Sequence, residues 1–222
     1  LGMSNYARDG ATTQEHQNMS VIVGRFTVSG GPKNFEIHHD ILSAGGGTQG
    51  LGVSTDDGED EVYTDVEIRE IIDDFDLMHI REEATANVGG GSSSVGFNNR
   101  VLTHTPTNEI PGASLSTNII TLPPGTFRIL VLSPNYRGTR IRNVFYDRDA
   151  AVAVVLGQNN FARQSLTHAD LTYSIGQFKI DEETDFDVRM DVGEAFATIG
   201  LGVDVDDGNS EVYTSILIWQ IS

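Results

Sequence analysis

From Asp185 to Val192 the chain reads DFDVRMDV. Phe186, Val188, Met190 and Val192 take one side of this alternation, and Asp185, Asp187, Arg189 and Asp191 take the other. A period of two is the pattern of a strand with one dry face and one wet face. FEIHHDI repeats it, with Phe35, Ile37, His39 and Ile41 opposite Glu36, His38 and Asp40. In EVYTDVEI, Val62, Thr64, Val66 and Ile68 fall together. Turn signals separate such runs: SGGPKN, STDDGED, LPPG, SPNYRG, YDRD and VDDGNSE. No helical periodicity of any length competes. Short alternating strands cut by turns predict an all-β sandwich or jelly roll.

The chain also repeats itself. GLGVSTDDGEDEVYTDVEIREI (Gly50–Ile71) matches GLGVDVDDGNSEVYTSILIWQI (Gly200–Ile221) at 13 of 22 positions. Upstream, VGRFTVSGGPKNFEIHHDIL (Val23–Leu42) aligns with IGQFKIDEETDFDVRMDV (Ile175–Val192), and LGMSNYA (Leu1–Ala7) with LGQNNFA (Leu156–Ala162). The offset drifts from 155 to 150 residues, which short loop changes account for. A period this long is a duplicated domain and not a solenoid. The expected organisation is the C-terminal half of a first unit at 1–71, a linking or docking segment at 72–88, and a complete second unit at 89–222. Within 72–88, DFDLMHIREEA is more apolar than a free linker needs. NVGGGSSS, just beyond, is flexible by composition. The first unit lacks counterparts of NIITL, TFRILVLS, RIRNVFY and AVAVVL. Its strands, expected around Ser20–Val28, Phe35–Leu42, Gly50–Ser54 and Val62–Ile71, therefore call for completion by preceding sequence or by a neighbouring chain. Leu1 in place of Met fits a longer gene product or a cleavage.

Composition narrows the partners. The 222 residues carry a net charge of −18, so a basic face for nucleic acid is not expected. Thirteen of the 32 acids lie between Asp56 and Glu83, so the acidity is concentrated where the first repeat ends. There is no Cys for a disulfide or a thiolate metal site. No apolar run reaches the length of a membrane span, and no signal peptide opens the chain.

Two strands break the one-faced rule. In the last, Val212, Thr214, Ile216 and Ile218 form one face, and Tyr213, Leu217, Trp219 and Ile221 form a second apolar one. In TFRILVLS, Phe127, Ile129 and Val131 stand opposite Leu130 and Leu132. A second apolar face needs a second cover, so Tyr213, Leu217 and Trp219 are expected at a subunit interface, or against another unit. The equivalent face of the first unit is more polar, with Tyr63, Asp65, Glu67, Arg69 and Ile71.

TNIITLPPGTFRILVLSPNYRGTRIRNVFYDRDAAVAVVLGQNNFA, then IGQFKI and DFDVRM, then the terminal GLGV…DDG…EVYTSILIWQI, resemble the C1q/TNF-like jelly-roll domains of bacteriophage tail, fibre and spike proteins. MHIREEATANVGGGSSSVGFNNRVLTHTPTNEIPGASLS resembles their lead-in. The likeness spans nearly all of Met78–Ser222 and the partial unit before it, through motifs that are structural rather than catalytic. It implies tandem jelly-roll β-sandwiches, the first incomplete, assembled as homotrimers among other virion structural proteins. Apical loops of such modules meet host-surface receptors or glycans, which makes the expected location the virion, outside cells. No collagen-like or coiled-coil stalk is present in this chain. Two alternatives share the fold: a secreted cellular adhesin or matrix module, and a glycan-degrading tail spike.

Candidate sites compete with plainer readings. Arg137, Arg140, Arg142 and Arg148 gather beside Tyr136, Phe145 and Tyr146 in an otherwise acidic chain. Arginine forks and aromatic faces suit acidic glycans, so Tyr136, Arg137, Arg140 and Arg142 are the candidate glycan or receptor site. Pairing with the surplus acids is the competing use. Asp204, Asp206 and Asp207, like Asp56–Glu61, offer oxygens suited to Ca²⁺, but the spacing is not an EF-hand, and Asp-Gly is first a hairpin turn. His38 and His39 are adjacent on a strand and point apart; His16, His79, His104 and His168 are scattered. Gly45–Gly47 precedes no helix and is no phosphate loop. No nucleophile motif appears, and no catalytic residue is assigned.

Overall fold

A computed structural model of the chain describes residues 21–38, 64, 66, 68, 75–162 and 169–221. The described residues contain twelve strands and no helix. In chain order these are β1 (Asp76–Ala84), β2 (Gly96–Asn99), β3 (His104–Asn108), β4 (Ser114–Ser116), β5 (Ile119–Leu122) and β6 (Gly125–Tyr136). Then come β7 (Thr139–Asp147), β8 (Val152–Leu156), β9 (Asn160–Ala162), β10 (Ala169–Ile180), β11 (Thr184–Val192) and β12 (Glu211–Gln220).

They form two antiparallel sheets. One has five strands in the order β10-β6-β12-β1-β3. The other has seven, in the order β4-β5-β11-β7-β8, with β2 also on β11 and β9 also on β7. The chain changes sheet at every step from β1 to β4, then from β5 to β6, β6 to β7, β9 to β10, β10 to β11 and β11 to β12, and β12 pairs with β1 within the five-stranded sheet. This crossing pattern is a jelly roll. The protein is an all-β jelly-roll sandwich.

The alternation read from the sequence sets the core. Phe186, Val188 and Met190 of β11 are wholly buried, and Val192 nearly so. From the five-stranded sheet come Met78, Ile80, Phe127, Ile129, Val131, Ile216 and Ile218; from the other come Ile120, Leu122, Phe145, Phe186 and Val188. Phe145 stacks on Phe186 at 4.7 Å between ring centroids, and Phe178 stacks on Phe127 at 5.6 Å and tilts against Phe145 at 5.5 Å. Each such side chain contributes roughly 1.5–3 kcal/mol by leaving water.

Three features depart from the sequence reading. Asp76–Ala84 lies inside the five-stranded sheet between β12 and β3, so the sandwich starts at Asp76 and not at residue 89. Its alternation is hidden because both faces of β1 are buried: Met78, Ile80 and Glu82 inward, Leu77 and His79 outward. The stretch NVGGGSSS is also packed. The Gly90 N–H donates to the Gly202 carbonyl at 2.9 Å, and Ser93 exchanges backbone bonds with Phe196. A Cβ on Gly89 would meet Ile199 at 2.5 Å, and one on Gly90 would meet Leu201 backbone at 2.9 Å. These glycines serve close backbone approach, not slack. Finally, residues 21–28 and 35–38, expected as strands, join no ladder, because no described residue supplies the neighbouring strands. The strand expected at Gly50–Ser54 lies outside the described residues, as does that at Val62–Ile71 apart from Thr64, Val66 and Ile68.

One charged group is interior. Arg100, at 1% exposure, donates from Nε to Glu82 Oε2 and to Thr214 Oγ1, both at 2.7 Å. Its Nη2 lies 2.6 Å from the same carboxylate oxygen, without the alignment of a hydrogen bond. Thr214 Oγ1 also donates to Glu82 Oε2. Buried charge is tolerated only when paired in this way.

Candidate functional site

The outer face of the seven-stranded sheet is built by register. On it, Phe97 of β2 pairs with Asp191 of β11, and Asp191 pairs with Arg142 of β7. Directly opposed residues share a face, so Phe97, Asp191 and Arg142 form one row. Arg140, two residues from Arg142, faces the same way and pairs with Phe161 of β9. On its other side is Gly193, whose N–H donates to the Arg140 carbonyl at 2.8 Å. A Cβ there would come within 2.7 Å of Thr139 Oγ1, so the sheet beside Arg140 stays bare.

The arginines divide between uses. Asp187, at 2% exposure, takes Arg189 as a fork, from Nε at 2.7 Å and Nη2 at 2.9 Å, and Arg148 at 3.1 Å. Arg189 also lies 3.4 Å above the Tyr146 ring. Hydrogen bonding to Asp187 raises the Arg189 pKa further above its ordinary range. Those two arginines neutralise a buried acid. Arg142 is only 3.9 Å from Asp191, a loose pair, and its Nε is a buried donor without a hydrogen bond. Arg140 is exposed and is held by no ion pair to a described residue. Phe97 and Phe161 beside them are 55% and 52% exposed. The face therefore combines one exposed guanidinium, Arg140, and a second, Arg142, loosely paired with Asp191, with two open aromatic rings.

Arg137 and Tyr136 belong elsewhere. Tyr136 is 5% exposed and meets Phe196 edge-on at 5.1 Å. The Arg137 guanidinium lies 4.6 Å from the Phe196 centroid and 5.9 Å from that of Tyr136. They form a cap at the β6–β7 turn, where Arg137 has a positive φ of 60°. The structure thus brings together Arg140 and Arg142 of the expected set, and adds Phe97, Phe161 and Asp191. Phe97 and Phe161 carry no motif in sequence; only strand register puts them beside the arginines.

Tyr213, Leu217 and Trp219 do share the outer face of β12. Within the chain, however, Tyr213 is fully buried and Leu217 is 6% exposed, while Trp219 is half-buried. The Tyr213 hydroxyl donates to the Val88 carbonyl at 2.7 Å, and its ring lies where a Gly202 side chain would be, 2.2 Å from the would-be Cβ. Burial, then the nearby Glu211 and Asp204 charges, push the Tyr213 pKa well up. The packed glycine segment is the cover for Tyr213, so Trp219 is the one of the three still partly open.

Asp204, Asp206 and Asp207 lie in the loop before β12. Asp207 accepts from the Asn209 backbone at 2.8 Å and side chain at 3.1 Å, and those bonds, side chain first, hold its pKa below the usual carboxylate range. Asp206 and Gly208 both have positive φ, as a tight turn requires. Among the described residues, no group of three or more His, Asp or Glu is arranged to hold a metal ion. Asp56–Glu61 lies outside the described residues, as do His16, His39 and His168. His38 is exposed beside Glu36 at 2.9 Å. His79 is buried, 3.0 Å from Ser215 Oγ; burial, then the Arg81 charge, lower its pKa to about 4. No helix among the described residues is long and apolar enough to cross a membrane.

No family model and no curated protein matches the chain. Among solved structures, murine APRIL at pH 5.0 is similar at 11% identity, over 67% of this chain and 100% of that one, with a TM-score of 0.46. The globular domain of zebrafish complement 1qA is similar at 11% identity, over 67% and 98%, with a TM-score of 0.42. Eiger TNF from S. frugiperda is similar at 10% identity, over 67% and 93%, with a TM-score of 0.45. The jelly-roll assignment stands on strand order and register, independently of these likenesses.

Proposed function

We propose that this chain is a non-enzymatic display and adhesion protein of a virion, a phage tail fibre, head fibre or spike component, and that it binds acidic host-surface glycan through the Arg140–Arg142 face. The virion reading is supported by the sequence resemblance. The binding reading is carried by one observation: on a chain of net charge −18, the exposed Arg140 and the loosely paired Arg142 stand between two exposed phenylalanines on a sheet surface. A guanidinium pairs a carboxylate with both charge and geometry. The flat rings offer apolar cover to the sugar beside it. The repulsion of the remaining acids is cut off beyond about 8 Å at physiological salt, so a local cationic spot can work on an acidic protein.

The test is a glycan array with wild type and the Arg140→Ala/Arg142→Ala double variant. Uronate- or sialate-bearing glycans should be retained, with at least a tenfold loss in the variant. Retention of neutral glycans only, or no loss in the variant, would refute the assignment. A reducing-sugar assay on bound polysaccharide should show no release; release would make the protein a glycan-degrading spike. The homotrimer part of the proposal rests on the Trp219 face. Trp219→Asp should lower the mass measured by light scattering to that of one chain, and an unchanged mass would remove this face from the interface.

A further inference from the structure

We propose that Asp191 makes the Arg140–Arg142 face selective for a uronate with a free C4 hydroxyl: Asp191 accepts from that hydroxyl while the arginines hold the sugar's carboxylate. This selectivity rests on the glycan reading of the face and narrows it to one class of acidic sugar. The ladder places Asp191 directly between Phe97 and Arg142. Its side chain is 42% exposed, that of Arg142 is 31% exposed, and the two approach only to 3.9 Å, beyond the reach of a hydrogen bond. The Asp191 carboxylate accepts no hydrogen bond from a described residue, and Arg142 Nε donates none. Asp187, two residues along the same strand and on the same face, is the contrast. It is 2% exposed and is filled by Arg189 at 2.7 and 2.9 Å and by Arg148 at 3.1 Å. One strand thus carries an acid whose acceptor sites are filled and an acid whose acceptor sites are open.

The open acid decides what the face can take. The Arg140 and Arg142 charges against the Asp191 charge leave a single net positive charge, enough for one anionic group. An acid in this place weakens the binding of any anion that brings charge alone. It favours a ligand that also brings donors, because an ionised carboxylate only accepts. Asp191 and Arg142 are opposed residues of neighbouring strands, so the ligand's anion and its donor must be close neighbours too. A uronate meets this: its carboxylate stands on C5, beside the C4 hydroxyl. A sialate does not, because its carboxylate stands on the anomeric carbon, between the ring oxygen and a methylene. A uronate linked onward through O4 has lost the donor, and a densely sulfated chain sets further anions against Asp191. Phe97, the other neighbour of Asp191 in the ladder, is 55% exposed. Its ring offers apolar cover to the carbon-bound hydrogens of the same sugar.

The probes are methyl β-glucuronide, its 4-O-methyl ether and a methyl sialoside, each titrated into the isotope-labelled full chain and followed by NMR. Wild type should bind the glucuronide about tenfold more tightly than either of the others, as a site built to bond a hydroxyl rejects analogues without it. In Asp191→Ala the three affinities should fall within about threefold of one another. Asp191→Asn keeps the size of the side chain and removes its charge, so its affinity for the sialoside should rise. Both variants are at the surface and should melt within about 2 °C of wild type. Equal binding of the three probes by wild type, or a preference that survives in Asp191→Ala, would overturn the proposal. So would a uniform loss for all three in Asp191→Ala, since Asp191 would then only position Arg142. If carboxylate probes bind without preference, and Arg140→Ala/Arg142→Ala abolishes that binding, the selectivity fails and the glycan face stands. If none of the probes binds, both fail.

Discussion

Glu82→Gln isolates the interior charge. The substitution keeps the size of the side chain and removes the negative charge that Arg100 faces. Arg100 is 1% exposed, Glu82 4% and Thr214 0%, so neither water nor a surface acid can replace the carboxylate. The guanidinium would keep Thr214 Oγ1 at 2.7 Å, a long bond to the Pro134 carbonyl at 3.4 Å and at best an uncharged amide oxygen in place of the carboxylate. Removing one partner of a buried pair costs about 3–5 kcal/mol. For a domain of this size that lowers the melting temperature by roughly 6–20 °C. Urea denaturation followed by circular dichroism gives the free energy, and unchanged slope shows that the native fold is retained. The double variant Glu82→Leu/Arg100→Met should recover most of the loss, since apolar replacement of a buried pair is close to neutral. A cost below about 1 kcal/mol for Glu82→Gln would show that the pair is solvated, and that the interior described around it is wrong.

Acid should destabilise the protein through His79. Its folded pKa of about 4 lies below the unfolded 6.5, so the unfolded chain takes up the proton first. Stability is full above about pH 6.5 and is lost as pH falls toward 4, by an amount on the order of 2–3 kcal/mol; in His79→Gln this part of the pH profile should flatten, as measured by urea denaturation at several pH values. Gly202→Ala should cost roughly 2–4 kcal/mol, because it adds a Cβ 2.2 Å from the Tyr213 ring at a φ of 152°. Gly208→Ala, at φ 81° with open space around it, should cost less than half as much in the same assay. Calcium should leave the melting temperature within about 1 °C of that in chelator, because binding linkage needs a site; a larger rise, lost in Asp204→Asn/Asp206→Asn, would make the loop before β12 a ligand set.

How much of this was legible in the sequence follows from where the partners lie. β11 was, because its period of two separates Phe186, Val188, Met190 and Val192 from the acids. β12 showed two apolar faces: the inner one is buried, and the outer one is buried at Tyr213 and Leu217 and half-buried at Trp219. β1 was not legible as a sheet strand: Glu82 faces inward to meet Arg100, and Leu77 and His79 face outward yet are buried, so no alternation survives. NVGGGSSS read as slack because composition does not show that a second backbone passes within contact of Gly89 and Gly90. The arginine cluster was half legible. Arg137, Arg140 and Arg142 are neighbours in sequence, but the turn sends Arg137 over Phe196, whereas Phe97 and Phe161 come from 43 and 21 residues away by register to β11 and β7. Short-range pattern reports faces; it does not report which strands lie side by side.

The most direct test of the binding face is a heteronuclear NMR titration of the labelled chain with a uronate-containing oligosaccharide. The Arg140 and Arg142 Nε–H signals should shift together with the amides of Phe97, Phe161 and Gly193, while Arg137, Arg148 and Arg189 stay in place. Shifts centred on Arg137 and Phe196, or no shift at saturating sugar, would contradict the assignment of this face.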